Sequence, residues 1–309
     1  MYNQEIKERF LSEFTSDNRN SQTCISYIES IGVYEGEVCL DLAQMSMMDA
    51  CRAVQHIDIS TYGSAFAVIS FVRNYIKWCL DNNAFDSINS GLLQMDVNDI
   101  DISDNLSRLL FISEQDFIDA LKTVRPFDDG YYDVIVMAFA WLGVPQDKAV
   151  NLEIGDVDLL NMTARISDTQ TISISENIGD ILITYNKTKT GSRILKQGVR
   201  TVYRDDSYGK FVRKFSAPKQ LGKPLTKSQI QSAVYELNNA YVELGNPPRF
   251  TNSNILRSGA LRRVYDLECS GVDVFSIKNK GLVLDTFVVK AKLHEILWLY
   301  KNYKRAFNL

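Results

Sequence analysis

Apolar residues recur at helical spacing in four stretches of the first 82 residues, with polar breaks between them, which predicts a small all-helical unit. Phe10, Leu11 and Phe14 mark the first stretch. Cys24, Tyr27, Ile28 and Ile31 mark the second, expected to start near Ser21 or Thr23. Met47, Met48, Cys51 and Val54 mark a third behind a Ser46 cap, and the fourth runs from Ser60 through Phe66, Ile69, Val72, Ile76 and Leu80. Its length makes it the backbone of the unit. From Asp81 to Asp104 the periodicity weakens while Asn, Asp, Ser and Gly accumulate, the composition of a linker.

A second unit opens at Ser113-x-x-Asp116, the spacing of a capping box ahead of Phe117, Ile118 and Leu121. Tyr131 to Leu142 is apolar on most faces and stops at Gly143, which predicts a helix buried at the centre of the domain. Asp156 to Ser167 and Asp180 to Leu195 alternate Ile, Thr, Val and Tyr with polar residues and are expected as strands. Lys189-Thr190-Gly191-Ser192 is the expected hairpin turn, with Gly191 free to take positive φ. Helices return at the end. Thr226-x-x-Gln229 leads into Ile230, Val234, Leu237 and Tyr241, Asn252 or Ser253 is expected to cap a helix through Tyr265, and Leu293 to Phe307 is a final amphipathic segment. The predicted class is mainly α with a small β-sheet (α+β), divided into a helical domain over 1–82, an acidic linker over 83–106 and a second domain over 107–309.

Charge changes this picture. Residues 1–182 hold 11 Lys or Arg against 29 Asp or Glu, whereas residues 183–309 hold 23 against 9. Between Lys187 and Lys227 there are twelve basic residues and only two acids, Asp205 and Asp206. Such a concentrated positive field can neutralise phosphates and release their counterions although the net charge is −4. A solvated basic face without a ligand is the plainer alternative.

Other chemistries lack a starting point: the sequence has no HExxH, CxxC pair, Walker loop, GxGxxG or GxSxG. The acidic runs Asp96 to Asp104 and Asp128-Asp129 lack metal-loop spacing. No cofactor or metal is expected. The longest strongly apolar run, Val134 to Leu142, is short of the roughly 20 residues a membrane span needs. The start Tyr2-Asn3-Gln4-Glu5 has no signal-peptide character. Cys24, Cys39, Cys51, Cys79 and Cys269 are expected as reduced thiols of a cytoplasmic protein.

The order of elements, with several short motifs, resembles the tyrosine recombinases and phage integrases. Ile6 to Asn82, including Phe71-Val72-Arg73-Asn74-Tyr75-Ile76-Lys77-Trp78, is similar to their N-terminal core-binding domain. Leu142-Gly143-Val144 followed by Leu152-x-x-x-Asp156-Val157-Asp158 resembles the segment carrying the first catalytic arginine. Lys187-Thr188-Lys189-Thr190-Gly191-Ser192-Arg193 resembles the lysine-bearing hairpin, and Asn254-Ile255-Leu256-Arg257 the HxLR box. Within that family the integrase-like master repressors of SPbeta-type phages are the nearest resemblance.

The resemblance implies phosphoryl transfer by two arginines, a His or Trp, a lysine and a tyrosine, and the departures then bear on function. Pro145 stands at the first arginine, Asn254 at the box histidine and Leu282 at the later histidine. No tyrosine lies between Tyr265 and Tyr300, so the expected nucleophile region, Phe287 to Ala291, has none. Losing a transition-state donor of this kind costs on the order of 100- to 1,000-fold, and losing the nucleophile removes the covalent route. Tyr300 or Tyr303 as a displaced nucleophile is the lesser alternative to packing beside Trp298. What survives is phosphate-holding chemistry. Lys187, Lys189, Arg193, Lys196, Arg200, Arg257 and Arg262 are the expected contacts to double-stranded DNA, with Arg257 and Arg262 sharing a broad helix face.

The leading expectation is therefore a sequence-specific DNA-binding protein of the bacterial cytoplasm, a phage or prophage repressor controlling lysogeny on an inactive recombinase frame. A divergent active recombinase is the alternative. A third reading is an assembly factor that self-associates through residues 293–309.

Overall fold

The computed structural model describes residues 2–14, 21–123, 131–168, 170–195, 198–216, 218–222, 225, 227–246, 249–287 and 291–309. In chain order, helices α1 (Gln4–Phe14), α2 (Ser21–Val38), α3 (Met47–Val54), α4 (Tyr62–Asn82) and α5 (Asp104–Leu110) precede α6 (Glu114–Thr123), α7 (Tyr131–Trp141) and α8 (Gln146–Ala149). Strands β1 (Val157–Asp158), β2 (Thr163–Ser167) and β3 (Gln170–Ser173) follow, then α9 (Glu176–Lys187) and strands β4 (Thr190–Leu195), β5 (Gly198–Arg204) and β6 (Phe215–Ser216). The chain closes with α10 (Lys227–Glu243), α11 (Asn252–Cys269), α12 (Lys280–Asp285) and α13 (Leu293–Phe307). This is the mainly helical α+β class, with two small antiparallel sheets ordered β1-β2-β3 and β4-β5-β6.

Two compact units emerge: Met1–Leu110 with His294–Leu309, and Phe111–Leu293. In the first, Ser46 accepts the Asp49 N–H (3.1 Å) and starts α3. Thr61 and Ser64 form a reciprocal capping box for α4. The buried Phe10 ring meets Phe71, Tyr75 and Trp78 edge-on at 5.1–5.7 Å, so α1 lies on the long α4 through aromatic packing.

The compact units differ from the division drawn at residues 82 and 106. Leu92, Met95, Val97, Ile100 and Ile102 are fully or almost fully buried, and their 3-10 turns pack on α4. Their spacing follows neither helix nor strand, which is why composition alone suggests a linker. Irregular backbone at such depth needs partners for its polar groups, and α13 supplies them. The Asn302 carboxamide accepts the Ile102 N–H (2.7 Å), the Trp298 indole N–H donates to the Ile100 carbonyl (3.3 Å), and Lys301 donates to the Asn98 carbonyl (2.6 Å). Arg305 pairs with Asp101 (2.6 Å) and Asp104 (3.0 Å). The apolar face of α13, with Ile296, Trp298, Tyr300 and Tyr303, is thus buried in the first unit of its own chain.

The second unit is built around α7, whose residues from Ile135 through Trp141 are all buried, as is Leu142 just after it. Gly143 at φ 85° ends the helix. Phe117 of α6 stacks on Trp141 with centroids 4.5 Å apart. Helix α11 approaches α7 so closely that a Cβ on Gly259 would stand 1.8 Å from the Trp141 carbonyl oxygen, a contact only glycine permits.

Two local expectations are corrected. Asp180 to Lys187 is helical, because Ile178, Ile181, Leu182 and Tyr185 are buried at the i, i+3, i+4, i+7 spacing of one helix face. Gly191 lies within β4, paired with Val202 rather than in a turn. The strands pair from Thr190↔Tyr203 to Leu195↔Gly198, and residues 196–197 lie outside the described residues. No helix among the described residues is long and apolar enough to cross a membrane.

Candidate nucleic-acid interface

The base of the β4-β5 hairpin is fixed by buried charge. Arg204 donates to the Tyr185 (3.2 Å) and Asn186 (2.7 Å) carbonyls in the last turn of α9, satisfying acceptors that a helix end leaves open. Asp206 accepts from Arg204 Nε (2.7 Å) and Arg213 Nη1 (2.6 Å). Arg213 also reaches the Asn186 side chain (3.1 Å), while the Tyr185 hydroxyl accepts the Arg213 N–H at 2.6 Å. Partial burial works against ionising Asp206, but hydrogen bonds and charge from Arg204 and Arg213 prevail and hold its carboxyl below the ordinary aspartate value. Arg204, Arg213 and the buried Lys214 therefore belong to the fold rather than to an open basic connection. Lys210 pairs at the surface with Glu153 (3.5 Å) and donates to the Asn151 carbonyl (2.9 Å).

Further along the same segment the charge is open. Lys187, in the last turn of α9, and Lys189, just before β4, are exposed, as is Arg200 on β5. Arg193 and Arg200 are direct register partners in the backbone pairing. Of Arg193 only the backbone is described, and Lys196 lies outside the described residues.

Helix α11 carries the second cluster. Thr251 caps it, one residue before the expected cap, by accepting the Asn254 N–H (3.1 Å). The Asn254 side chain answers by accepting the Thr251 N–H and donating to the Arg249 carbonyl, both at 2.6 Å. At the position where the resemblance places a histidine, the chain thus has a buried helix-cap residue. Two residues before Gly259, Arg257 is partly buried, and loss of water lowers its guanidinium below the ordinary arginine value while leaving it charged near neutrality. No carboxylate or carbonyl among the described residues meets it within bonding distance.

Arg262 differs. It pairs with Glu114 (3.2 Å) and Asp266 (2.9 Å) and lies 5.2 Å over the Tyr265 ring. Five residues along a helix turn the side chain by about 140°, so Arg257 and Arg262 do not share an open face. The charge of Arg262 is already matched within the unit.

Pro145 is the N-cap residue before the four-residue α8 and offers no side-chain bond. Leu282 is 50% exposed. It borders a pocket of about 400 Å³ with Trp141, Leu142, Ile172, Ile174 and Arg263. Arg263 donates to the Trp141 carbonyl (2.8 Å) and to that of Thr286, and burial brings its value down to about 10. Positions 288–290, within the expected nucleophile region, lie outside the described residues. Tyr300 and Tyr303 are at most 1% exposed in the core of the first unit, as expected of packing residues.

Residues 1–81 match a family model described as the MrpR N-terminal core-binding domain. The chain is similar to the crystal structure of XerA recombinase at 15% identity, covering 98% of this chain and 96% of that one, with a TM-score of 0.43. It is also similar to the Tn1549 transposon integrase (aa 82–397) in complex with circular intermediate DNA, at 13% identity, 99% and 98% coverage and a TM-score of 0.36. No curated protein matches.

Proposed function

We propose that the chain is a sequence-specific double-stranded DNA-binding protein that holds the sugar-phosphate backbone without cutting it, and that it acts as a phage or prophage transcriptional repressor. The observation that carries this reading is Arg257, a partly buried cation with no anion of its own among the described residues. Removing a charge from water is costly unless a partner restores its solvation. A phosphate would do so through charge-assisted bonds of the fork geometry a guanidinium favours. Exposed Lys187, Lys189 and Arg200 supply further phosphate contacts, which position a duplex but do not by themselves read it.

The same geometry supports loss of strand cleavage. Asn254 is spent on a helix cap, Pro145 has no donor, and both C-terminal tyrosines are buried. Occupying an operator would exclude polymerase with no cofactor. Incubation with nicked suicide duplexes tests the reading: the DNA should be retained on a native gel with no covalent protein adduct after denaturation. A phosphotyrosine-linked species, or no retention of any duplex, would overturn it.

A further inference from the structure

From Thr201 to Arg204, strand β5 alternates between an exposed and a buried face, while Arg200, on the side of Val202 and Arg204, is exposed. Val202 and Arg204 are buried on one side, whereas Val199, Thr201 and Tyr203 on the other are exposed, Val199 by 72% and Tyr203 by 42%. Thr190, the register partner of Tyr203, is exposed as well. The outward face of a half-buried strand is ordinarily polar. An apolar and aromatic stripe beside the edge strand β4 is an aggregation liability without a partner.

The surrounding charge says which partner. Residues 183–203 contain Lys or Arg at 187, 189, 193, 196 and 200 and no acid, which favours a polyanion over an acid-poor apolar protein surface. A two-stranded ribbon also fits the DNA major groove, where thymine displays its C5-methyl group and every base pair shows a distinct donor and acceptor pattern.

We propose that Val199, Thr201 and Tyr203 are specificity-determining residues that read base edges in the major groove. This rests on the DNA-binding reading above and supplies what phosphate contacts lack. The methyls of Val199 and Thr201 meet thymine methyls, and the Tyr203 hydroxyl bonds a base heteroatom.

The test selects duplexes from a random pool with the full chain, then replaces each thymine of the selected site by uracil, which removes only the methyl. Wild type should yield a defined motif and lose about 4-fold in affinity at one or more thymines, the worth of one buried methyl. The double variant Val199→Ser/Tyr203→Ser should bind unselected duplex as wild type does, yet lose most of the motif and all sensitivity to uracil. An unchanged motif in the variant, or no uracil effect on wild type, would overturn the inference while leaving DNA binding intact. So would equal loss of unselected binding, since the stripe would then serve the backbone or the fold. Wild type that retains no duplex at all would defeat the DNA-binding reading itself.

Discussion

Lys7 in the first unit is a buried cation and Arg257 in the second a partly buried one, and they are treated in opposite ways. Lys7 is 1% exposed and paired with Glu35, with Asp41 at 3.8 Å. Asp41 in turn accepts from the Tyr75 hydroxyl (3.0 Å) and the Asn3 amide (3.1 Å). Burial pushes Glu35 up and the Lys7 charge opposes that push, so the pair is a closed local circuit. Arg257 has no such circuit among the described residues. The pattern extends outward: Arg9, Arg52 and Arg73 in the first unit bond to Glu13, Asp49 and the Met95 carbonyl, whereas Lys187, Lys189 and Arg200 in the second are exposed. Lys7, Arg204 and Arg213 have acidic counter-groups within the chain, whereas Arg257 has none among the described residues.

The largest effect should come from opening the closed circuit. Lys7→Met leaves two buried carboxylates facing each other, and breaking a buried pair from one side costs about 3–5 kcal/mol. Urea denaturation should show that loss, and Lys7→Met/Glu35→Leu should recover much of it. A loss below about 1 kcal/mol would mean that water reaches the site.

Next comes a cation that lies in the basic segment but belongs to the fold. Arg204→Ala removes bonds to Asp206 and to the end of α9 and should cost about 1.5–3 kcal/mol, as expected for hydrogen bonds to charged groups. DNA affinity of the folded fraction should stay near wild type. A variant with full stability and weakened DNA binding would place Arg204 among the open cations instead.

The smallest effect is electrostatic and depends on pH. Asp206 ionises in the folded chain below its ordinary value of 3.8, so its contribution is present above that value and fades as pH falls through the lower folded one. Because its side chain is 49% exposed, screening keeps the contribution modest. Asp206→Asn should flatten the stability profile below about pH 4 and leave a constant offset above it. Parallel profiles in chemical denaturation would contradict that assignment.

Much of the architecture was legible in the sequence where two local signals agreed. Ser46 ahead of α3 and Ser113 ahead of α6 both accept the predicted N–H, and Leu293 to Phe307 is α13 to the residue. Amphipathicity gave α13 a face but not its partner, since the docking of Trp298 and Asn302 on residues 100–102 joins positions about 200 apart. Helix α9 was ambiguous because Ile181, Ile183 and Tyr185 fit period 2 while Ile178, Ile181, Leu182 and Tyr185 fit period 3.6. The site was harder still. In the sequence Arg204, Arg257 and Arg262 are alike, and tertiary contacts alone separate the guanidinium that ties down a helix end and the one matched by Glu114 from the one with no partner among the described residues.

The most direct test of that separation is the salt dependence of duplex binding, measured as the slope of log K against log salt concentration. The slope should shrink by about 0.9 for each of Lys189→Ala, Arg200→Ala and Arg257→Ala, with the fold intact and the slope unmoved by Arg262→Ala. Equal slopes for wild type and the Arg257→Ala variant would contradict the claim that this guanidinium takes its missing anion from DNA.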